Sequence, residues 1–99
     1  MIANNDIVRV HRSRLLELPF SKLDVLTHEG DKAIRKTQLE EAMTLGNQKR
    51  QSVKILFKTS EGLVGETDAT VWSLTKEKIE LKGGKYIPIS AVISVGTRG

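Results

Sequence analysis

Apolar and polar residues alternate with a period of two after residue 50. In "VKILFKT", Val53, Ile55 and Phe57 fall on one face and the lysines on the other, which is typical of a strand with one buried face. "SEG" at 60–62 supplies a turn. "LVGETDATVW" predicts a longer strand, in which Gly65 indicates a bulge or sharp bend. "KIEL", "YIPI" and "AVISV" predict further short strands. The pattern therefore predicts about five short strands in a small closed or partly closed β-barrel over residues 52–96.

The two glycines of "LKGGKYIPI" predict a turn between strands. A two-residue loop would place Ile87 on the face opposite Leu81, whereas a loop of three or five residues places Ile79, Leu81, Ile87 and Ile89 on one face. A register slip of one residue would expose an apolar face, so we expect the odd-length loop, with a glycine at positive φ. No helix pattern follows the glycines, which argues against a phosphate loop.

A helical pattern precedes these strands. Thr37 and Glu40 have the spacing of a capping box, and Leu39, Ala42 and Met43 form an apolar stripe before "LGN". Gly46 stands where a left-handed residue would end the helix. We therefore expect one short helix over residues 31–47, and the class is mainly β (α+β).

Residues 1–30 have no sustained period. "DIVRV" predicts a possible strand, and Pro19 interrupts any element around it. Ninety-nine residues support one core, so we expect a single domain, 1–99, with 1–30 as an N-terminal extension. The start has no pattern of a signal peptide, and no apolar run approaches the roughly 18 residues of a membrane span. These observations, and the absence of cysteine, favour a cytoplasmic protein without a membrane partner.

Positive charge is concentrated in the first 60 residues. They contain 11 Lys/Arg and 7 Asp/Glu, whereas residues 61–99 contain 5 of each. The densest part provides a candidate polyanion-binding set on one strand and its approach, namely Lys49, Arg50, Lys54 and Lys58. The alternative is a solvated face whose aliphatic stems pack along the sheet.

The aromatic residues give two candidate contact positions. Phe57 alternates with Val53 and Ile55 and is expected inside. Trp72 breaks the alternation after Val71, so the pattern leaves open whether it lies in the core or on the surface. Tyr86 falls opposite Ile87 in parity and is expected to be exposed.

Candidate catalytic chemistry is sparse. His11 and His28 are seventeen positions apart and match no zinc-ligand spacing. Glu66 and Asp68 lie on one face of a strand and could share a cation or a proton, although such pairs usually face water. We therefore expect no enzyme activity, no metal and no cofactor.

The order of these elements resembles the Sm-like (Hfq-type) small β-barrels over residues 37–95. "VKILFKTSEGLVGETDATVWSLTKEKIEL" is similar in rhythm to the first Sm motif, and "VISV" resembles the Ala-Ile-Ser segment of the second. The chain has Ile89, Ser90 and Ala91 where the Hfq pattern has an RNA-contacting Tyr-Lys-His. The resemblance implies an SH3/Sm-like fold without that RNA site. The string also resembles short uncharacterised bacterial single-domain proteins.

Two functions follow as hypotheses. The first is a non-catalytic binding or assembly module that contacts protein partners or itself, because small barrels have exposed strand edges and "LLELPFSKLDVL" is a loose apolar segment. The second is a nucleic-acid-binding Sm-like module that uses the basic strand face. We favour protein contacts, since rings for stacking bases are few.

Overall fold

The computed structural model describes residues 7–97, which form an α+β domain with one long helix and seven strands. The elements in chain order are β1 (Ile7–Arg9), a first 3₁₀ helix (Arg12–Glu17), α1 (Glu29–Lys49), β2 (Val53–Lys58), β3 (Val64–Ala69), β4 (Val71–Leu74), β5 (Lys78–Leu81), β6 (Tyr86–Pro88), a second 3₁₀ helix (Ile89–Ala91) and β7 (Val92–Thr97). The α+β class is confirmed.

The strands form two sheets that are not closed into a barrel, so the closed form of the predicted barrel is wrong, and the described residues contain seven strands where about five were predicted. The first sheet has the order β1-β3-β2-β7 and the second has the order β4-β5-β6. Among the described residues no ladder joins β6 to β7. Instead, α1 supplies the hydrogen bonds at the free edge of β7: Arg35 Nη1 donates to the Val92 carbonyl at 3.0 Å and Val95 N donates to Gln38 Oε1 at 2.9 Å. Because side chains of α1 bond to these two backbone groups of β7, the groups do not require a hydrogen-bond partner on another strand.

The predicted inward face of β2 is confirmed. Val53, Ile55 and Phe57 are all fully buried. Gly65, expected at a bulge, instead pairs in regular register with Phe57. A Cβ at Gly65 would overlap with the Phe57 ring. The glycine is therefore required by the size of its cross-strand neighbour, and the chain passes from one sheet to the other beyond it, where Thr70 separates β3 from β4.

The odd-length loop at the two glycines is confirmed. Ile79 pairs with Ile87, and Leu81 N donates to the Lys85 carbonyl at 2.8 Å, which leaves a three-residue loop of Lys82, Gly83 and Gly84. Both glycines have positive φ, +93° and +84°, a region that other residues rarely adopt. The register that this loop sets places Ile79, Leu81 and Ile87 on one face, where all three are buried.

The helix is longer than predicted. α1 has 21 residues, and Thr37, expected near its N-cap, lies inside it with Oγ1 donating to the Ala33 carbonyl at 3.2 Å. The N-cap is His28, and the left-handed residue at the other end is Arg50, at φ +52°. The spacing of Thr37 and Glu40 also occurs inside helices, where a threonine hydroxyl can donate to the carbonyl four residues earlier. The spacing alone therefore does not identify a helix start. Within residues 7–97, α1 lacks the apolar length needed to cross a membrane, and so does every other helix.

Gly46 has a different function from the predicted helix stop. It is buried where α1 crosses the start of β4, and a Cβ there would overlap with the Val71 carbonyl oxygen. The absence of a side chain thus allows the helix backbone to approach the strand closely. Leu39 and Ala42 on the same helix face are buried in the core, as the apolar stripe predicts.

The segment before α1 covers one end of the core. Leu15 is fully buried, and the Phe20 ring meets Phe57 edge-to-face at a centroid distance of 5.3 Å. Asp24 accepts two hydrogen bonds of 2.8 Å from the guanidinium of Arg35, a helix residue that is 5% exposed. This bidentate ion pair links the segment to α1 and, through the Val92 carbonyl, to β7.

Candidate functional site

Trp72 lies on the outer face of the second sheet, at a β-bulge. Val71 pairs with Leu81, and the next paired residue, Ser73, opposes Glu80. Trp72 is therefore the extra residue, and its ring points outward instead of into the core. Its side chain is 52% exposed, which answers the question that the alternation pattern left open.

Tyr86 lies on the same sheet and is exposed, as its parity predicts. It pairs with Glu80 across β5 and β6, and Lys78 Nζ lies 4.6 Å from the centre of the Tyr86 ring. An ammonium group at this distance interacts favourably with the ring face. Glu80 also accepts a hydrogen bond from Ser73 Oγ. These contacts hold the polar side chains between the two rings.

A groove of about 490 Å³ lies between these rings. We call it the Trp72–Tyr86 groove; its lining residues are Trp72, Ser73, Lys78, Glu80, Leu81, Gly83, Gly84, Lys85 and Tyr86. The glycine loop forms one end, so the loop that sets the strand register also shapes the groove. Apolar ring surface with a few charges of both signs suits a protein or peptide ligand.

The four predicted polyanion-binding residues lie on two elements. Lys49 ends α1 and Arg50 is its left-handed C-cap, whereas Lys54 and Lys58 lie on the outward face of β2. All four are exposed. The first two extend from the end of a helix, and the last two lie on the first sheet.

Acidic residues on β3 neutralise part of this strand face. Glu66 Oε2 lies 3.6 Å from Lys54 Nζ, and Glu66 Oε1 lies 3.0 Å from Arg9 Nη1. Asp68 Oδ2 is 2.8 Å from Arg9 Nη2. The hydrogen bonds that Arg9 donates, first to Asp68 and then to Glu66, raise the pKa of Arg9. Two cations and two carboxylates thus form one network, and an anionic ligand would have to compete with it.

This network also accounts for Glu66 and Asp68 as a pair. The cation they share is the Arg9 guanidinium of β1, which pairs in parallel with β3. No group of three or more His, Asp and Glu side chains placed to hold a metal ion occurs within residues 7–97. His11 accepts a hydrogen bond from Ser13 N at 3.1 Å and so begins the first 3₁₀ helix.

A second groove, of about 510 Å³, was not predicted. It lies between α1 and the β4–β5 turn, and we call it the α1 groove; its lining residues are Lys32, Arg35, Lys36, Leu39, Glu40, Leu74, Thr75, Lys76 and Ile89. The i, i+4 spacing of Lys32 and Lys36 indicates one cationic helix face. Nothing local to the helix indicates that Lys76, forty positions later, completes the groove.

Searches against protein-family models, curated proteins and solved structures find no match for this chain.

Proposed function

We propose that this chain is a non-catalytic protein-binding module whose contact surface is the Trp72–Tyr86 groove. The observation that carries this proposal is the pair of outward rings on one face of the second sheet. Tryptophan and tyrosine are enriched among the residues that dominate binding energy at protein interfaces. Each ring also has a polar group that can hydrogen-bond at a partly wet surface.

We also propose that the fold is an opened form of the SH3/Sm-like barrel. Several features support it: a helix before the β2–β3 pair, a nearly continuous β3–β4 segment that passes from one sheet to the other, a glycine loop, and a 3₁₀ turn before the last strand. The Hfq-type Tyr-Lys-His is replaced by Ile89, Ser90 and Ala91. Fold kinship therefore carries no RNA-binding function with it.

Protein contacts are favoured over nucleic acid by the distribution of charge. The basic strand contains the paired Lys54, and the Trp72–Tyr86 groove includes Glu80 between its lysines. Nucleic-acid surfaces combine stacking rings with a continuous positive field. The two rings lie on the second sheet, whereas Lys58, which has no ion pair within residues 7–97, lies on the first. A cytoplasmic partner is proposed on the absence of cysteine.

The decisive experiment is affinity capture of cell proteins by the wild type and by Trp72→Ser, followed by identification of what is retained. We expect specific proteins to bind the wild type and not the variant. Truncation of an anchoring ring commonly costs about 2 kcal/mol or more of binding free energy, which lowers the affinity about 30-fold. Leu23→Ser is the matched control, since Leu23 is more exposed than Trp72 and lies outside the groove. Partners retained equally by Trp72→Ser would refute the proposal.

Self-association is the other form of the same proposal, with a second copy as the partner. Light scattering during size-exclusion chromatography, over a range of protein concentrations, measures the mass. A dimer that Trp72→Ser converts to a monomer would identify the second copy as the ligand of this groove. A strict monomer at high concentration would exclude self-association.

A further inference from the structure

The α1 groove combines an apolar floor with a cationic rim. Leu39 is buried at its base, and Leu74 and Ile89 are partly buried against the same core. Their remaining exposed surface faces a cavity of about 510 Å³. That volume falls in the range of sites that hold a small molecule or a few amino-acid residues.

The rim has more cations than acids. Four of its lining residues are basic and one, Glu40, is acidic. The charge of Arg35 is already matched by Asp24. Lys32 lies 3.5 Å from Glu29, but the Glu29 side chain is 91% exposed, so this ion pair contributes little. Within residues 7–97, Lys36 and Lys76 belong to no ion pair.

The shape of the surface favours an extended ligand. A wider depression of about 890 Å³ adjoins the α1 groove and shares Arg35, Lys76 and Ile89 with it. The wider depression is also lined by Phe20, Tyr86 and Pro88. A compact ligand would fill only the α1 groove, whereas an extended peptide can occupy the adjoining depression as well.

We propose that the α1 groove binds an acidic peptide segment of a partner protein. An apolar side chain of the peptide contacts Leu74 and Ile89, and carboxylates before and after it pair with Lys36 and Lys76. The positive charge of the rim favours an acidic ligand. The apolar floor favours a peptide that also has an apolar side chain over a polymer that has only charges. The α1 groove shares no lining residue with the Trp72–Tyr86 groove, although the adjoining depression reaches Tyr86.

The test is fluorescence anisotropy of the full chain with the labelled peptide Glu-Asp-Leu-Glu-Asp-Leu-Glu-Asp. We expect saturable binding that weakens with salt. The double variant Lys36→Glu/Lys76→Glu should weaken it by about tenfold or more, since two attractive rim charges become repulsive. The matched control, Lys49→Glu/Lys58→Glu, has the same net charge and neither of its positions lines the groove, so it should bind nearly as the wild type does.

Two further measurements separate the floor from the rim and confirm the location. A peptide with serine in place of both leucines should bind more weakly, and the acidic peptide should shift the methyl NMR signals of Leu74 and Ile89. Circular dichroism of the Lys36→Glu/Lys76→Glu variant shows whether it is folded. If a folded variant binds as the wild type does, if the serine peptide binds equally well, or if single-stranded RNA competes for the groove with higher affinity, the proposal is overturned.

Failure here is distinguishable from failure of the proposed function. Trp72→Ser should bind the acidic peptide with unchanged affinity, because Trp72 does not line the α1 groove. Loss of peptide binding in that variant would place the ligand on the Trp72–Tyr86 groove and would overturn the inference, whereas partner capture through Trp72 would be unaffected by any of these lysine variants.

Discussion

Thr67 places a hydroxyl in the core of the first sheet. The side chain is fully buried opposite Ile55, and Oγ1 has no hydrogen-bond partner within residues 7–97. A buried polar atom without a partner costs free energy that an apolar atom of the same shape does not. Threonine suits the strand but contributes less to the core than valine would.

We predict that Thr67→Val raises the free energy of unfolding by about 1 kcal/mol, measured by urea denaturation. Thr67→Ala is the control, since it also removes the hydroxyl but leaves a small cavity, and it should be less stable than the valine variant. A destabilised Thr67→Val protein would show that the hydroxyl is satisfied in solution.

Trp72 shows at the same scale how one residue changes surface chemistry. Alternation after the buried Val71 already directs the Trp72 ring outward. The bulge then turns Ser73 to the same face, opposite Glu80, where unbroken alternation would direct it inward. The polar side chain beside the Trp72 ring thus depends on the register between β4 and β5.

At the level of the element, α1 is held by close backbone approach at Gly46 and by polar contacts at Arg35 and Gln38. The helix has few apolar residues, and only Leu39 and Ala42 among its hydrophobic side chains are fully in the core. Its docking therefore depends on a glycine contact with β4 and on side chains that satisfy the edge of β7.

We predict opposite effects for two glycine substitutions in α1. Gly30→Ala should raise the free energy of unfolding by up to about 1 kcal/mol, because a Cβ there meets nothing within 4 Å and alanine has the higher helix propensity. Gly46→Ala should lower it by about 1–3 kcal/mol, because the Cβ overlaps with backbone that cannot move independently. Thermal unfolding of both variants measures the difference. If Gly46→Ala is also stabilising, the close approach is not required.

The Asp24–Arg35 ion pair makes stability depend on pH at the acid end. Hydrogen bonds from Arg35, and then from the Leu26 amide, lower the pKa of Asp24 below its ordinary value of 3.8. A depressed folded-state pKa stabilises the fold fully above the unfolded value, and this contribution is lost as the pH falls through the folded-state pKa.

We therefore expect Asp24→Asn to reduce the loss of stability of the wild type below about pH 4. At pH 7 the variant should be less stable than the wild type, because Arg35 is left buried without its counter-charge. Urea denaturation at a series of pH values measures both effects. An unchanged acid dependence would show that other carboxyl groups determine it.

For the whole molecule, charge pairing determines which partners are favoured. The formal charge of +4 arises entirely before residue 61, yet Arg9 and Lys54 are paired with Glu66 and Asp68 in the folded chain. This leaves Lys49, Arg50 and Lys58 as the predicted cations without an ion pair within residues 7–97. Net charge thus overstates the positive field of the strand face.

We predict weak retention of single-stranded RNA. With about three available cations, the slope of log affinity against log salt should be no steeper than about −2, since each phosphate contact contributes about −0.7. Filter binding over a range of about 20–200 mM salt measures the slope. A steeper slope that Lys54→Gln reduces would show that RNA displaces Glu66 and would favour the nucleic-acid alternative.

Sequence alone was sufficient where one local constraint dominates. The alternation from Val53 to Phe57 determines which face of β2 is buried, and the apolar residues on both sides of Gly83-Gly84 allow only an odd loop. The exposure of Tyr86 follows from the same parity. These conclusions need only the period of a strand, which is a property of the backbone.

The remaining features depended on residues that are distant in sequence. Gly46 is explained by Val71, Gly65 by the Phe57 ring, and the neutralised strand face by the approach of β1 to β3. The sheets stay open because α1 bonds to β7, and the α1 groove exists because Lys76 meets a helix face forty positions earlier. Local patterns thus determined which faces are apolar, whereas the tertiary structure decided which charges are paired and where the grooves lie, because those depend on contacts that no short stretch of sequence contains.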